Sequence, residues 1–566
     1  MFNFKERFAE EISKITKKDI SETLKIIEEP PDFNLGDLSF PCFSLSKELR
    51  KSPNDISKDL VEKLKKEKQD IFEYFAVSGY VNIKIKPEIL YTETISQVFD
   101  NKENYGKSKT GAKEQYVIDT FNANTFKTLH VGHLRMIVGG DAISRLLSFS
   151  GYDSKPVYYG GDVGTHVAKW YWYYLQLPKD KQKIPKENVS KWFGEIYIAA
   201  GEKTKDNENS TKEIDNIQKQ ILTDKELQKE IARLRDICYD AYMQVKTELG
   251  VELVDKIFES ETEKKFLEIK DAFFKEHKDI IKESDGAIIA DLKDKKLDVL
   301  VLIKKNGAPL YGAKDIALVQ IKKQKFPKCK HFIYIVGSEQ DFYFRQLFGL
   351  FSVIYPETTH EHISLGMVNL ISGKMASRAG GMVLYEDLRD QLRDKVKQVL
   401  TENNLEQDKE IIDKIVFGTI KFEMLKIGFN KTFVFDINSA LDLQGDSAVY
   451  IQYSGVRAKS ILRKANFKGI NNTPKPEKLE DDEKRLLNLI MQFPSKVEYA
   501  SKERKPNIIA SHCLDLARAF NKFYGNCPVI SDNKALQEQR LALISTYLQT
   551  LKNATWLLGI EIPEKM

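Results

Sequence analysis

Cysteine is scarce in this chain: Cys42, Cys238, Cys329, Cys513 and Cys527 are scattered over 566 residues. No C-x-x-C pair or Cys/His cluster forms, which excludes a framed tetrahedral metal site and points to free thiols in a reducing compartment. Long apolar runs are missing too. The strongest, "VLVLI" and "FGLFSVIY", fall far short of the ~20 residues that span a bilayer. The opening "MFNFKERFAEEISK" has no apolar h-region, so a cytoplasmic protein with no membrane contact is expected. Nor is there an excess of one charge: 88 basic residues against 83 acidic ones leave a formal charge of +5, too small a global field to declare a nucleic-acid partner. Internal repeats and long low-complexity tracts are also absent, which excludes a solenoid.

What remains is an ordinary globular composition, 42% hydrophobic and 30% charged, in a chain long enough for about three or four compact units. Residues 1–110 read as a small α/β domain. In it Ser52 is placed to cap a helix begun by Pro53 and Asp55, and "YFAVSGYVNIKI" follows as a strand pattern. The polar, Gly-containing "DNKENYGKSKTG" at 100–111 reads as a boundary. Residues 111–385 then read as a doubly wound, Rossmann-like parallel-sheet domain. It starts with a βαβ unit, carries a helical insertion at about 178–285, and resumes with "LDVLVLIKK", "HFIYIVG" and "HISLGMVNL" as buried parallel strands. From 386 to 566 helical periodicity dominates, and a helical bundle is expected there.

The chemistry concentrates in "NANTFKTLHVGHLRMIVGGDAISRLLSFSGYD", where a strand gives way to a helix. His130 and His133 sit where free helix N–H groups favour anions, their ring N–H groups suit polyphosphate oxygens, and Gly132 lets a ring or phosphate approach. This suggests adenylyl or nucleotidyl transfer. A helix start with two incidental histidines is the competing explanation of the tetrapeptide alone. Far downstream, just after the last strand pattern, "GKMASRAGG" at 373–381 puts Lys374 and Met375 on a Gly-flanked loop able to reach phosphates.

H-x-G-H after the first strand and K-M-x-S after the last resemble the HIGH and KMSKS signatures of class I aminoacyl-tRNA synthetases. With "GGDVGTH", "LYGAKDIA", "YIVGSEQDFYFRQLF" and "SAVYIQYSGVRAKSILRK", the chain is similar nearly end to end to the arginyl-tRNA synthetase family. The resemblance implies a ligase that activates L-arginine with ATP and charges tRNA(Arg). Mg²⁺ would be bound through the ATP phosphates, with no metal site of the protein's own, in a monomer whose 1–110 domain contacts the tRNA. It implies His130, Gly132, His133, Lys374 and Met375 at ATP, and Asp119, Asn122, Asn124, Tyr311, Asp315 and Gln340 at arginine. An aromatic or hydroxyl partner beside a carboxylate matches what a guanidinium fork requires, and Tyr311 and Asp315 are spaced to share a helix face. The chain departs from K-M-S-K-S at Ser377, where the family pattern has a second lysine; many arginyl enzymes show this loss together with a lysine three residues before the first histidine, and Lys127 stands there. On the C-terminal side, Tyr450, Tyr453, Arg457 and Lys464 form a mixed aromatic and basic stripe at helical spacing, suited to unpaired bases and phosphates. Trp556 and Met566 are further tRNA candidates. A half-buried core stripe is the competing reading for the tyrosines.

Overall fold

The near-continuous apolar run Gln115–Phe121 becomes the central strand of a five-stranded, all-parallel sheet. The computed structural model describes residues 3–566 except 31, 68, 69, 206, 207, 371–382, 403–406, 471 and 472. Across the sheet the order is 359–365, 331–337, 115–121, 153–160, 255–258, with every pairing parallel. Parallel strands need crossovers rather than hairpins. The helix Val131–Phe149 supplies the first and Asp341–Ile354 the last. The chain moves outward from the central strand through 153–160 to 255–258, then returns to its other side at 331–337. Strand order therefore reverses between 115–121 and 331–337, and the crevice beyond their carboxyl ends is where ligands bind in open sheets of this type.

Two strand readings change. "LDVLVLIKK" does not extend the parallel sheet: Val299–Ile303 pairs antiparallel with Ala287–Asp291, which pairs antiparallel with Ile281–Ser284. The cause is local, since Asp285 and Gly286 both have positive φ (50° and 75°) and make the two-residue hairpin that an Asp-Gly pair favours. Conversely Asp255–Phe258, only four residues within the stretch read as a helical insertion, is the edge strand beside 153–160. "YFAVSGYVNIKI" is likewise two strands, Phe72–Val77 and Tyr80–Ile85, folded back at Ser78 and Gly79 with φ of 49° and 85°. Ser52 caps as expected, its Oγ accepting from the Asp55 amide at 3.2 Å.

By contacts the chain divides into two units: residues 1–106 with 454–495 and 512–554, and residues 107–453 with 496–511 and 555–566. In the first, tyrosine hydroxyls of the N-terminal part donate to backbone carbonyls of the C-terminal helices, Tyr91 to Gln539 at 3.0 Å and Tyr105 to Ile490 at 2.9 Å. The second holds the parallel sheet and the core around Val117, Ile316, Leu347 and Phe351. Long helices, Ala448–Lys464, Asp481–Glu503, Pro506–Asn526 and Lys534–Leu557, make the last third helical. No helix among the described residues is long and apolar enough to cross a membrane.

Arg135, one turn into Val131–Phe149 and 1% exposed, ties this helix to two loops. Its Nη1 donates to the Gly366 and Lys431 carbonyls at 2.8 and 2.7 Å, and its Nη2 to Gly428 at 3.0 Å. Burial lowers its pKa to about 10. Arg135→Met leaves buried carbonyls unpaired and is expected to cost about 3 kcal/mol or more, while Arg135→Lys, a point donor in place of a fork, recovers only part. Denaturant titration reads this out, and an unchanged midpoint for the Met variant contradicts it.

Candidate active site

The loop after the central strand is fixed before it reaches the histidines. Asn124 Oδ1 accepts from the Gly161 amide at 3.0 Å, and Thr125 donates through N and Oγ1 to the Gly161 carbonyl at 2.9 and 3.0 Å. Gly161 is required there, because a Cβ would fall 2.7 Å from both Asn124 Oδ1 and Glu259 Oε2. Phe126 takes a left-handed conformation, φ 63°, with its amide donating to Cys238 Sγ at 3.3 Å. The Tyr242 hydroxyl spans the Asn124 and Lys127 carbonyls at 2.9 and 2.8 Å. A strained residue at a functional loop persists because such contacts over-determine it.

His130 is the N-cap of Val131–Phe149. Its Nδ1 accepts from the Gly132 amide at 3.1 Å, and His133 Nδ1 accepts from the His130 amide at 3.3 Å, a reciprocal cap made by two imidazoles. With both Nδ1 atoms accepting, each neutral ring carries its proton on Nε2 and presents that N–H as a donor. The rings lie 3.9 Å apart between centroids. Gly132 makes room for this pair: a Cβ would sit 3.0 Å from His130 Cε1. Burial, with the nearby Lys127 charge, lowers the His130 pKa to about 4 and holds His133 well below the imidazole range, so both are neutral at pH 7.

Both rings face a cavity of about 330 Å³ lined by Asn122, Asn124, Lys127, Thr128, His130, His133, Tyr197, Ile198 and Gly201. Five of the expected site residues, Asn122, Asn124, Lys127, His130 and His133, therefore converge. Asn122 Nδ2 donates to the Ile335 carbonyl at 3.4 Å, and its buried Oδ1 has no hydrogen-bond partner among the described residues. Lys127 has its pKa lowered by burial. Tyr197, Ile198 and Gly201 come from the helix Val189–Lys203 and were not anticipated. A larger hollow of about 780 Å³ in the same unit is lined by mutually paired charges such as Arg393 with Asp413 and Lys414 with Glu410 and Glu561. It holds none of the motif residues.

The other expected residues do not line this cavity. Asp119, 2% exposed, accepts from the fully buried Lys322 ammonium through Oδ2 at 2.7 Å, and its buried Oδ1, in the same ion pair, has no hydrogen-bond partner among the described residues. Asp315 lies half-buried on Tyr311–Lys325 and accepts from the Tyr343 hydroxyl, and burial raises its pKa to about 7. Tyr311 begins the same helix but stands 71% exposed, so helical spacing did not bring it to equal depth with Asp315. Gln340 closes the short turn after strand His331–Gly337, on the side of the sheet where the order reverses. Lys374, Met375 and Ser377 lie outside the described residues. The chain from Val383 onward is anchored to the histidine motif: Val131 N donates to Val383 O at 3.1 Å and Tyr385 N to Leu129 O at 3.0 Å.

Tyr450, Tyr453, Arg457 and Lys464 all lie on Ala448–Lys464, with Tyr453 and Lys464 exposed and Tyr450 and Arg457 half-buried. Arg457 donates to Asn521 Oδ1 at 2.8 Å and lies over the Tyr524 ring. Trp556 is not a free platform: it is 46% exposed, with the Arg145 guanidinium 5.0 Å over its ring and Phe149 beside it. Met566 is half-buried.

Comparison with known proteins fits this geometry. The family model described as "tRNA synthetases class I (R), catalytic domain" matches residues 94–437, "DALR anticodon binding domain" matches 451–566 and "Arginyl tRNA synthetase N terminal domain" matches 3–85. The chain is 31% identical to the arginine–tRNA ligase of Clostridium perfringens (strain 13 / Type A) over 100% of both chains, and 30% identical to that of Clostridioides difficile (strain 630) over 98% of each. The solved Thermus thermophilus arginyl-tRNA synthetase superposes with a TM-score of 0.82 at 25% identity, covering 100% of both chains. With a catalytic-domain match over more than half its length and relatives matched end to end, the chain belongs to the arginyl-tRNA synthetase family of class I aminoacyl-tRNA synthetases.

Proposed function

We propose that this enzyme condenses L-arginine with ATP to arginyl-adenylate and diphosphate, then transfers the arginyl group to the 3′-terminal adenosine of tRNA(Arg), releasing AMP. One observation carries the reading: two neutral imidazole N–H donors and an ammonium converge on one cavity at the point where the strand order of a parallel sheet reverses. The arginine carboxylate attacks the ATP α-phosphorus in line; the new P–O bond forms as the bond to the bridging oxygen breaks and diphosphate leaves with the charge. His130, His133 and Lys127 stabilise that growing charge, joined by Lys374, with Gly132 and Met375 also at ATP. Donors that are neutral or cationic suit polyphosphate rather than a bare cation, so Mg²⁺ would be held through the ATP phosphates and would supply neutralisation of their charge. The unpartnered Asn122 Oδ1 takes the substrate α-ammonium alongside Asp119 and Asn124, with Lys322 fixing Asp119 at the strand end.

For the guanidinium the reading assigns Asp315, with Tyr311 and Gln340 at the rim. Residues 1–110, 111–385 and 386–566 serve as tRNA-contacting, catalytic and anticodon-binding domains. Tyr450, Tyr453, Arg457, Lys464 and Met566 contact tRNA, and Trp556 buttresses the chain end. The enzyme works as a cytoplasmic monomer. Arginine-dependent ATP–pyrophosphate exchange with cognate tRNA present is the direct test; its absence in the parent protein overturns the reading. Lys127→Ala is expected to lower kcat by about 10²–10³-fold, the usual cost of one transition-state donor, with tRNA binding unchanged.

Asp315 adds a pH signature. Burial raises its pKa from 3.8 to about 7, so on folding it takes up a proton in that window, and its contribution to stability falls as pH rises toward 7. Arginine needs the ionised form and reverses this penalty. Its KM is therefore expected to fall by up to about tenfold per pH unit from pH 6 and to level off above 7. In Asp315→Asn that dependence disappears and KM rises about 100-fold or more, as loss of a buried charge partner requires. A parent KM flat from pH 6 to 8 contradicts the assignment.

A further inference from the structure

Lys127 is expected to meet phosphate, yet nothing in the sequence says how a half-buried ammonium is kept there without being neutralised. Among the described residues no carboxylate lies within ion-pair distance of it. Other site lysines are paired: Lys322 with Asp119, and Lys314 with Glu259 and Glu263. Glu259 attracts Lys127 from beyond that distance but is itself paired with Lys314; what lies against Lys127 is an aromatic ring. Its Nζ lies 5.3 Å from the centroid of Tyr197, and Lys169 Nζ lies 5.9 Å from the same centroid. Both distances are within the range at which a ring quadrupole attracts a cation. Tyr197 also lines the reaction cavity with Lys127, His130 and His133.

The distinction matters for phosphate chemistry. A carboxylate would hold an ammonium more tightly, but it would also cancel its charge and repel the incoming phosphates. A ring face attracts the cation with no net charge of its own, so the ammonium stays available. We infer that Tyr197 is a positioning residue for the adenylation step, holding the Lys127 ammonium at the cavity wall through its ring face while leaving that charge free for ATP.

The inference rests on the ATP-dependent activation of arginine proposed above, and its test is separable from that reading. Arginine-dependent ATP–pyrophosphate exchange, with cognate tRNA present, is measured for the parent, Tyr197→Leu, Tyr197→Phe and enzymes carrying mono-, di- and trifluorophenylalanine at position 197. In Tyr197→Leu kcat is expected to fall about tenfold with KM for arginine changed less than twofold, and Tyr197→Phe to recover most of it. In the fluorinated series log kcat falls stepwise as fluorine weakens the ring quadrupole at nearly constant shape. In a Lys127→Met background Tyr197→Leu has no further effect on kcat. A flat fluorinated series overturns the inference even if Tyr197→Leu fails to fold, because packing would then be the ring's only role. An undiminished kcat in a folded Tyr197→Leu overturns it as well. A parent without exchange activity overturns instead the reading on which it rests.

Discussion

The three carbonyls gathered by Arg135 set the frame for everything around the site. A buried guanidinium costs several kcal/mol to desolvate and is usually repaid by a carboxylate. Here the acceptors are the Gly366, Gly428 and Lys431 carbonyls, which engage Nη1 and Nη2 without cancelling the charge and leave Nε with no hydrogen-bond partner among the described residues. The two loops they belong to are thereby fixed to the helix that begins at His130. Backbone bonds from Val131 to Val383 and from Tyr385 to Leu129 hold the other side. The described chain at Gly366 and again from Val383 is in this way referenced to the same helix as the histidines.

The charge state of the site follows from burial. Three fixed cations at Lys127, His130 and His133 would repel one another at close range with little water to screen them. Desolvation and the Lys127 charge resolve this by keeping both imidazoles neutral, so the site without substrate holds one cation and two N–H donors. Negative charge arriving on phosphate oxygens meets the two Nε2–H donors with no proton added, since each Nδ1 is taken by a backbone amide, and those hydrogen bonds strengthen as charge accumulates. That is the differential response catalysis requires: weak in the ground state, stronger as the leaving group forms.

Legibility in the sequence followed range. The His130-Val-Gly-His133 start, the Gly132 opening and the parallel strands around it are local patterns, and they were readable. That Asp119 also pairs with Lys322 was not readable, because the two stand 203 residues apart and no periodicity connects them. Tyr343, which orients Asp315, and Tyr242, which pins the Lys127 loop, lay in stretches read only as helix or motif. The hairpins at Ser78-Gly79 and Asp285-Gly286 were the avoidable misses, since both dipeptides favour positive φ. The edge strand Asp255–Phe258 was not avoidable: four residues carry too little alternation to be told from a loop.

The loss of a second lysine at Ser377 has a physical counterpart in how Lys127 is carried. An ordered lysine side chain gives up as much as ~2 kcal/mol of rotamer entropy, a cost that any segment ordered only on binding meets again with each turnover. Lys127 instead sits on a segment fixed by Tyr242, by the bonds from Thr125 to Gly161, and by the packing of Phe126 against Trp170 and Phe193. Its ammonium rests on a ring rather than in solvent. Folding has already met the ordering cost, and a charge in place before ATP arrives needs no reorganisation at the moment of reaction. A cation carried on this sheet-anchored segment is preorganised, and the left-handed Phe126 backbone is what that rigidity costs.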